Sequence, residues 1–480
     1  MMREPMQSRL NMFFANMFFV NNWLDNPLFR MWVPRLIAIG VILVSIAFPL
    51  GASPRLVMLL VGAIFAGATI VILGQWPQLG LLALVITSLT VPAPPLPGGL
   101  NAAVLLLALL VGLWLLDLLS RRHIRLVSSR TVPPLLAFAA VSVTSFIVGQ
   151  RNWFRTGQHA PLDTQMGALA IFVLAAGVFL LVAHQINHVK WLQRMTWLYL
   201  LIAAIGPAGW LVPWLVRGYN NRILQLGTMN NSLFWLWIVA LTCSQALYND
   251  RLQKGWRLAL GALCLATLYV VFGPLNDWKS GYIPAVAAIG VIVAARSWRV
   301  GLVLGLLGII PMIWLANQAV ATDEYSFFSR LDAWMTVLGM VKYSPLLGFG
   351  PANYHSYTIL FPLRGYYSYF SSHNQYLDII AQIGFLGLGC FLWFVWELGR
   401  LGWQLRERVS TGFARAYVYG ALGGLVGMLV SGMLVDWFLP FVYNIGLTGF
   451  RTSILAWAFL GGLVAIEQLV QRGELNGQRE

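Results

Sequence analysis

The sequence predicts an all-α polytopic membrane protein with about 14 transmembrane helices (12–14). Three observations carry that prediction. Hydrophobic residues make up 59% of the 480 and charged residues only 10%, where a soluble globular protein carries roughly 25% charged. The apolar residues fall in runs of about 20, the length of a bilayer-spanning helix, separated by short polar breaks. Lys and Arg cluster at every second break, as positive-inside topology requires. So few charges cannot cover a water-exposed surface, which argues against a soluble enzyme, a nucleic-acid-binding domain and a disordered chain. The formal charge of +15 is then first an orientation signal, with no nucleic acid implied.

Residues 1–33 contain MFFANMFFVNNWL, amphipathic and aromatic without a cleavage site, and are predicted to form an interfacial segment. A bundle of about 11 spans over 34–320 follows. Its apolar runs are 36–50, 55–74, 77–91, 100–119, 132–149, 166–186, 196–215, 229–248, 257–273, 281–295 and 300–320. PAPPLPGG after the third run marks a turn. Residues 321–373 are too long for a simple connection and are predicted to be a functional extracytoplasmic loop. Leu331, Trp334, Leu338 and Val341 recur in it at helical spacing, so a short amphipathic helix is expected. Pro345 ends that helix and LLGFG is expected to be a flexible turn. Three C-terminal helices occupy 374–470 (runs 374–396, 413–435 and 447–469), and 471–480 is a cytoplasmic tail. In the second of these, GALGGLVGMLVSGML carries small residues at four-residue spacing, a signal of close helix packing. Cys243, Cys264 and Cys390 lie inside apolar runs, which leaves no disulfide framework or metal spacing.

With the N-terminus in the cytoplasm, 21 of the 31 basic residues fall inside. Arg55, Arg151, Arg155, Arg217, Arg222, Lys279, Arg330, Lys342, Arg364 and Arg451 face outward. Any one alone reads as a solvated loop residue; as a group they suggest an outer anion site, for which the guanidinium fork suits phosphate. Outer carboxylates are Asp163, Asp277, Asp323, Glu324, Asp332 and Asp436, with no D-x-D pair and no His/Asp cluster at ligand spacing. No metal and no cofactor are therefore expected. His373 stands where the loop meets the next span, in SSHNQYLDIIAQIGFLGLG. Ser371, Ser372 or His373 is a candidate helix cap. The imidazole is also a candidate base near neutral pH. Asp378 is read as a buried partner for some polar group.

At this point the sequence resembles the O-antigen ligase and polymerase superfamily. The residues that carry the resemblance are His373-Asn374, nine residues, Gly384, two residues and Gly387, an H-N-x9-G-x-x-G pattern. Upstream stand Ser329-Arg330, Ala333-Trp334 and Pro345-Leu346-Leu347-Gly348-Phe349-Gly350, in the same order and spacing as in that family. RILQLGTMNNS (222–232) resembles its arginine–glycine–asparagine segment, with Arg222 the anion-binding member and Asn230 the helix start. Where relatives often carry Ser-Arg, this chain has Lys279-Ser280, a point charge in place of a fork.

The resemblance implies a metal-independent, inverting membrane glycosyltransferase of the C-type architecture in the bacterial inner membrane, its active site facing the periplasm. The donor would be an undecaprenyl-diphosphate-linked glycan. The acceptor would be a sugar hydroxyl of lipid A-core or another surface acceptor, or a second lipid-linked repeat unit in a polymerase. His373 and Arg330 are the catalytic candidates; Arg222, Lys279, Arg330 and Asn374 are the diphosphate-binding candidates. The loop tyrosines are candidates for stacking on sugars or for anchoring at the interface. A flippase for a lipid-linked oligosaccharide is the alternative of a different class, though it has no need of a long outer loop with a helix-starting His-Asn.

Overall fold

The computed structural model describes residues 54–93, 99–120, 126–214, 229–275, 279–303, 305–308 and 324–475, with positions 40, 313 and 317. The expected interfacial segment at 1–33, Arg222, and most of the runs 36–50 and 300–320 lie outside the described residues. The described residues form helices, with one isolated β-bridge between Leu363 and Tyr366. Two compact units are distinguished, one comprising residues 1–83 and 108–126, the other 84–107 and 127–480.

The helices are α1 (Pro54–Gln75), α2 (Pro77–Thr90), α3 (Ala102–Ser120), α4 (Val132–Val148), α5 (Leu162–Gln185), α6 (Val189–Ala203), α7 (Ile205–Leu211), α8 (Ser232–Tyr248), α9 (Lys254–Phe272) and α10 (Lys279–Ala294). They continue with α11 (Glu324–Val341), α12 (Asn353–Thr358), α13 (Gln375–Arg408), α14 (Gly412–Leu434) and α15 (Gly446–Gln471). Among the described residues six helices (α3, α5, α9, α13, α14 and α15) are long and apolar enough to cross a membrane, or seven if the bent pair Gly67–Gln75 and Pro77–Thr90 is one span. α4, α8 and Ser280–Ala294 are apolar but shorter. The single expected run 196–215 is instead divided between α6 and α7, which meet at Ala204 before Pro207.

Caps set several boundaries. Asn231, one position beyond the expected Asn230, starts α8 by accepting from Leu233 N at 2.8 Å. The α14 glycines face neighbouring helices. A Cβ at Gly423 would lie 2.8 Å from Ala288 O of α10, and one at Gly427 would lie 2.9 Å from Pro284 O. Small residues thus let α10 and α14 pack backbone to backbone, the arrangement favoured where lipid supplies no hydrophobic drive.

The segment 324–373 departs from expectation in two ways. α11 buries Ala333, Val337, Met340 and Val341, whereas Leu331, Trp334 and Leu338 of the expected apolar row stay partly open. LLGFG is no flexible turn: Gly348, Phe349 and Gly350 are buried against the break in α13.

Candidate active site

The break in α13 builds the site. Gly384 adopts φ 72°, ψ −178°, a region essentially reserved for glycine, so the helix stops and restarts there. Breaking a helix frees carbonyls on one side and N–H groups on the other, and each needs a partner. The Pro345–Gly350 loop supplies them. Phe349 N donates to Ala381 O and Gly350 N to Gln382 O, both at 2.9 Å. Phe385 N donates to Pro345 O at 2.8 Å and Leu386 N to Leu346 O at 3.2 Å. The Gln382 side chain accepts from Ala352 N at 2.9 Å, and the Ser145 hydroxyl of α4 lies 2.7 Å from Gln382 O. Pro-Leu-Leu-Gly-Phe-Gly and the G-x-x-G half of the motif are therefore two sides of one backbone joint.

The nine residues before the break, 375–383, form a short buried helix that presents His373 at its mouth. Asn374 caps it, its Oδ1 accepting from Tyr376 N at 3.0 Å and Leu377 N at 3.3 Å. His373 itself sits at φ 47°, a left-handed conformation that a non-glycine residue keeps only when its surroundings hold it. The holding group is buried Asp378, whose Oδ1 accepts from the Tyr354 hydroxyl at 2.5 Å and the Ser372 hydroxyl at 2.7 Å. Ser372 Oγ also accepts from Asn374 N at 3.1 Å, and Trp334 Nε1 of α11 donates to Ser372 O at 2.8 Å. Asp378 is thus a structural partner, one link removed from His373.

A residue that the motif does not contain completes the arrangement. Asp436, 2% exposed in the loop after α14, places Oδ1 3.9 Å from His373 Nδ1. That is beyond hydrogen-bond length and within charge contact. Its Oδ2 accepts from Asn444 Nδ2 at 2.9 Å and Phe441 N at 3.2 Å. The loop is tied back to the short helix by Gln375, which donates to Leu439 O at 2.8 Å and accepts from Leu439 N at 3.0 Å. Ser371 adds a bond to Asn444 at 3.0 Å. Arg330 reaches the same corner, with Nη1 3.5 Å from Leu434 O. Burial pulls the His373 imidazole below its ordinary 6.5; the Asp436 carboxylate opposes that shift and the Arg330 guanidinium adds to it. His373 is therefore neutral at neutral pH, with a ring nitrogen able to accept a proton.

The predicted residues do not all converge. His373, Asn374 and Arg330 share this corner. Asn374 spends its carbonyl oxygen on the cap, which leaves its amide for a ligand. Arg222 lies outside the described residues. Lys279 is the first residue of α10, and its side chain likewise lies outside them. Arg451 is buried in α15, donating to Val91 O at 2.7 Å, and Arg364 pairs with Asp332 at 3.5 Å in a tight Leu363–Tyr366 turn. Among the tyrosines, Tyr354 and Tyr357 are wholly buried, whereas Tyr366, Tyr367 and Tyr369 are more than half exposed. His355 is sandwiched between the rings of Tyr443 and Tyr369, at centroid distances of 4.0 and 5.5 Å. An open apolar groove of about 510 Å³ runs from Asn374 along Leu331, Trp334, Leu338 and Leu377. Its floor is the row of α11 residues that the core does not bury. Among the described residues no three His, Cys, Asp or Glu side chains are grouped as metal ligands.

Residues 162–392 match the family described as O-antigen ligase. This stretch, a little under half of the chain, is an O-antigen ligase domain. No curated protein matches it. The ligase match takes in Arg330, the Pro345–Gly350 loop, His373 and the Gly384 break, and ends before Asp436. Asp436 could not be found from the motif because it stands 63 positions after His373 (436 − 373) in the numbering. Its only sequence signal was its place among the few outer carboxylates. This O-antigen ligase-type protein is therefore a membrane protein of the ligase and polymerase class.

Proposed function

We propose that this protein transfers a glycan from an undecaprenyl-diphosphate donor to a sugar hydroxyl of lipid A-core or another surface acceptor, at the periplasmic face of the bacterial inner membrane. The observation that carries the reading is the corner formed by neutral His373, buried Asp436 and Arg330 at the end of an apolar groove. The groove suits a polyprenyl chain and the guanidinium suits its diphosphate.

In the proposed step the His373 imidazole takes the proton of the acceptor hydroxyl as its oxygen bonds to the anomeric carbon. The bond from that carbon to the diphosphate oxygen breaks, and the diphosphate leaves with the electron pair. A single displacement inverts the anomeric centre. Negative charge grows on the leaving diphosphate, where Arg330 stabilises it as a fixed charge in a partly dry site. Arg222 and Lys279 are further candidates for that role, and the Asn374 amide for a diphosphate contact. The imidazolium formed is stabilised by Asp436, a positioning residue that touches no substrate.

Purified protein given lipid-linked glycan and acceptor tests the proposal. His373→Ala should lower turnover by about 10²–10⁴-fold, the usual contribution of a general base. Unchanged turnover would remove His373 from the chemistry, and a flippase would be indifferent to the change. Chelator should leave transfer intact; a strict divalent requirement would overturn the metal-independent mechanism. A polymerase would run the same chemistry on a lipid-linked acceptor and yield a ladder of product lengths, where a ligase adds one finished chain.

A further inference from the structure

At the other end of α13, roughly 24 Å from the Gly384 break at 1.5 Å per residue, lies a second site that the transfer reaction does not use. A polar cavity of about 260 Å³ is lined by Ser129, Arg130, Glu397, Arg400, Arg408 and Glu467. Three helices or their ends contribute: the segment entering α4, the last turns of α13 and the last turns of α15. All of these residues belong to one compact unit.

The charges in this cavity are mixed and only loosely matched. Among the described residues no ion pair within 4 Å joins its arginines to its glutamates. One oxygen of Glu397 and one of Glu467 are buried without a hydrogen-bond partner among the described residues. A buried carboxylate oxygen left so is costly and calls for a donor. The cavity therefore offers guanidinium forks for a phosphate and carboxylates for a cation, within one small volume. Its size is below the roughly 300 Å³ at which drug-sized ligand sites begin, so it suits a headgroup better than a nucleotide or an oligosaccharide.

The surroundings point to lipid. Trp396 and Trp403 precede and follow Arg400 by four and three positions, which puts all three on one helix face. Trp396 is 70% exposed and Trp403 51%, and the Arg406 guanidinium stacks on Trp403 at 3.8 Å. Exposed Trp rings at the end of a spanning helix mark the headgroup level.

We propose that this cavity binds the headgroup of a phospholipid carrying both a phosphate and a primary ammonium group, of the phosphatidylethanolamine type. Arg130, Arg400 and Arg408 take the phosphate. Glu397 and Glu467 take the ammonium, whose N–H donors satisfy their unpartnered oxygens. With the Arg-rich ends inside, the lipid comes from the cytoplasmic leaflet.

The full-length protein in nanodiscs of phosphatidylcholine doped with phosphatidylethanolamine or phosphatidylglycerol provides the test, read by native mass spectrometry of retained lipid. Phosphatidylethanolamine should be retained about tenfold over either of the others, the worth of one charged hydrogen bond. The Arg400→Gln/Arg408→Gln variant should lose that retention. Glu397→Gln should keep phosphate binding but abolish discrimination against phosphatidylcholine, whose quaternary nitrogen has no N–H. This single change decides the matter if the double variant folds poorly. Equal retention of the three lipids, or preference for phosphatidylglycerol, would overturn the proposal. So would full displacement of the lipid by free phosphoethanolamine at equal concentration, which would make the ligand a soluble one.

Discussion

Gly384→Ala tests the joint on which the whole site rests. At φ 72°, ψ −178° a side chain costs about 1–3 kcal/mol in backbone strain. A Cβ there would also lie 2.1 Å from Leu346 O and 2.2 Å from Leu346 C, and these are backbone atoms that no rotamer change can move. Relief requires shifting the loop and giving up one or two of the four backbone bonds that bridge the break, each worth about 1 kcal/mol net. The expected loss is therefore about 2–5 kcal/mol, among the larger single-residue effects. Gly389→Ala is the matched control, since a Cβ there meets nothing within 4 Å on the same helix. Thermal unfolding of both variants in detergent, followed by circular dichroism, should show Gly384→Ala melting well below wild type. Gly389→Ala should be unchanged or slightly stabilised, by about 0.5–1 kcal/mol from helix propensity. Equal melting of the two alanine variants would refute the braced-break account of the motif.

The acid limb of the transfer rate should titrate below pH 6.5, because His373 acts in its neutral form and burial lowers its affinity for a proton. Asp436→Asn removes the group that opposes this shift, so the limb should move to still lower pH while the maximal rate falls; an unmoved limb would separate Asp436 from His373. Tyr354→Phe takes a donor from the buried Asp378 carboxylate and should cost about 1–3 kcal/mol in melting measurements. Tyr366→Ala and Tyr367→Ala remove exposed rings only, so they should raise KM for a glycan substrate with no loss of stability, whereas a shifted melting point would assign them to packing. Burial pushes His355 down to about 4, so the unfolded chain takes up a proton there before the folded one does. Stability should thus be unaffected above about pH 6.5 and should fall as pH drops from there toward 4. His355→Phe should flatten that slope.

The motif residues were readable in order but not in role. H-N-x9-G-x-x-G looks like a catalytic string, yet only His373 and the Asn374 amide are left for the proposed chemistry. Asn374 is a cap and Gly384 is a break. The Pro-Leu-Leu-Gly-Phe-Gly loop reads as flexible because Gly and Pro permit turns; in the fold it is fixed because the broken helix offers unpaired backbone groups that it satisfies, with help from Ser145. The spacing of Leu331, Trp334, Leu338 and Val341 reads as one helix face, and of the four only Val341 is buried. Periodicity names a face without saying what covers it, and here Ala333, Val337 and Met340 took the core.

By itself the sequence determined the membrane class, the helical content and the superfamily. Low charge and long apolar runs are local properties, and motif order survives without coordinates. Tertiary structure alone decided that Asp436, from a loop beyond the matched domain, faces His373, and that Arg451 is buried among helices and not at an outer anion site. Electrostatic contact is set by distance in space, and residues far apart in the chain meet only after the helices have packed.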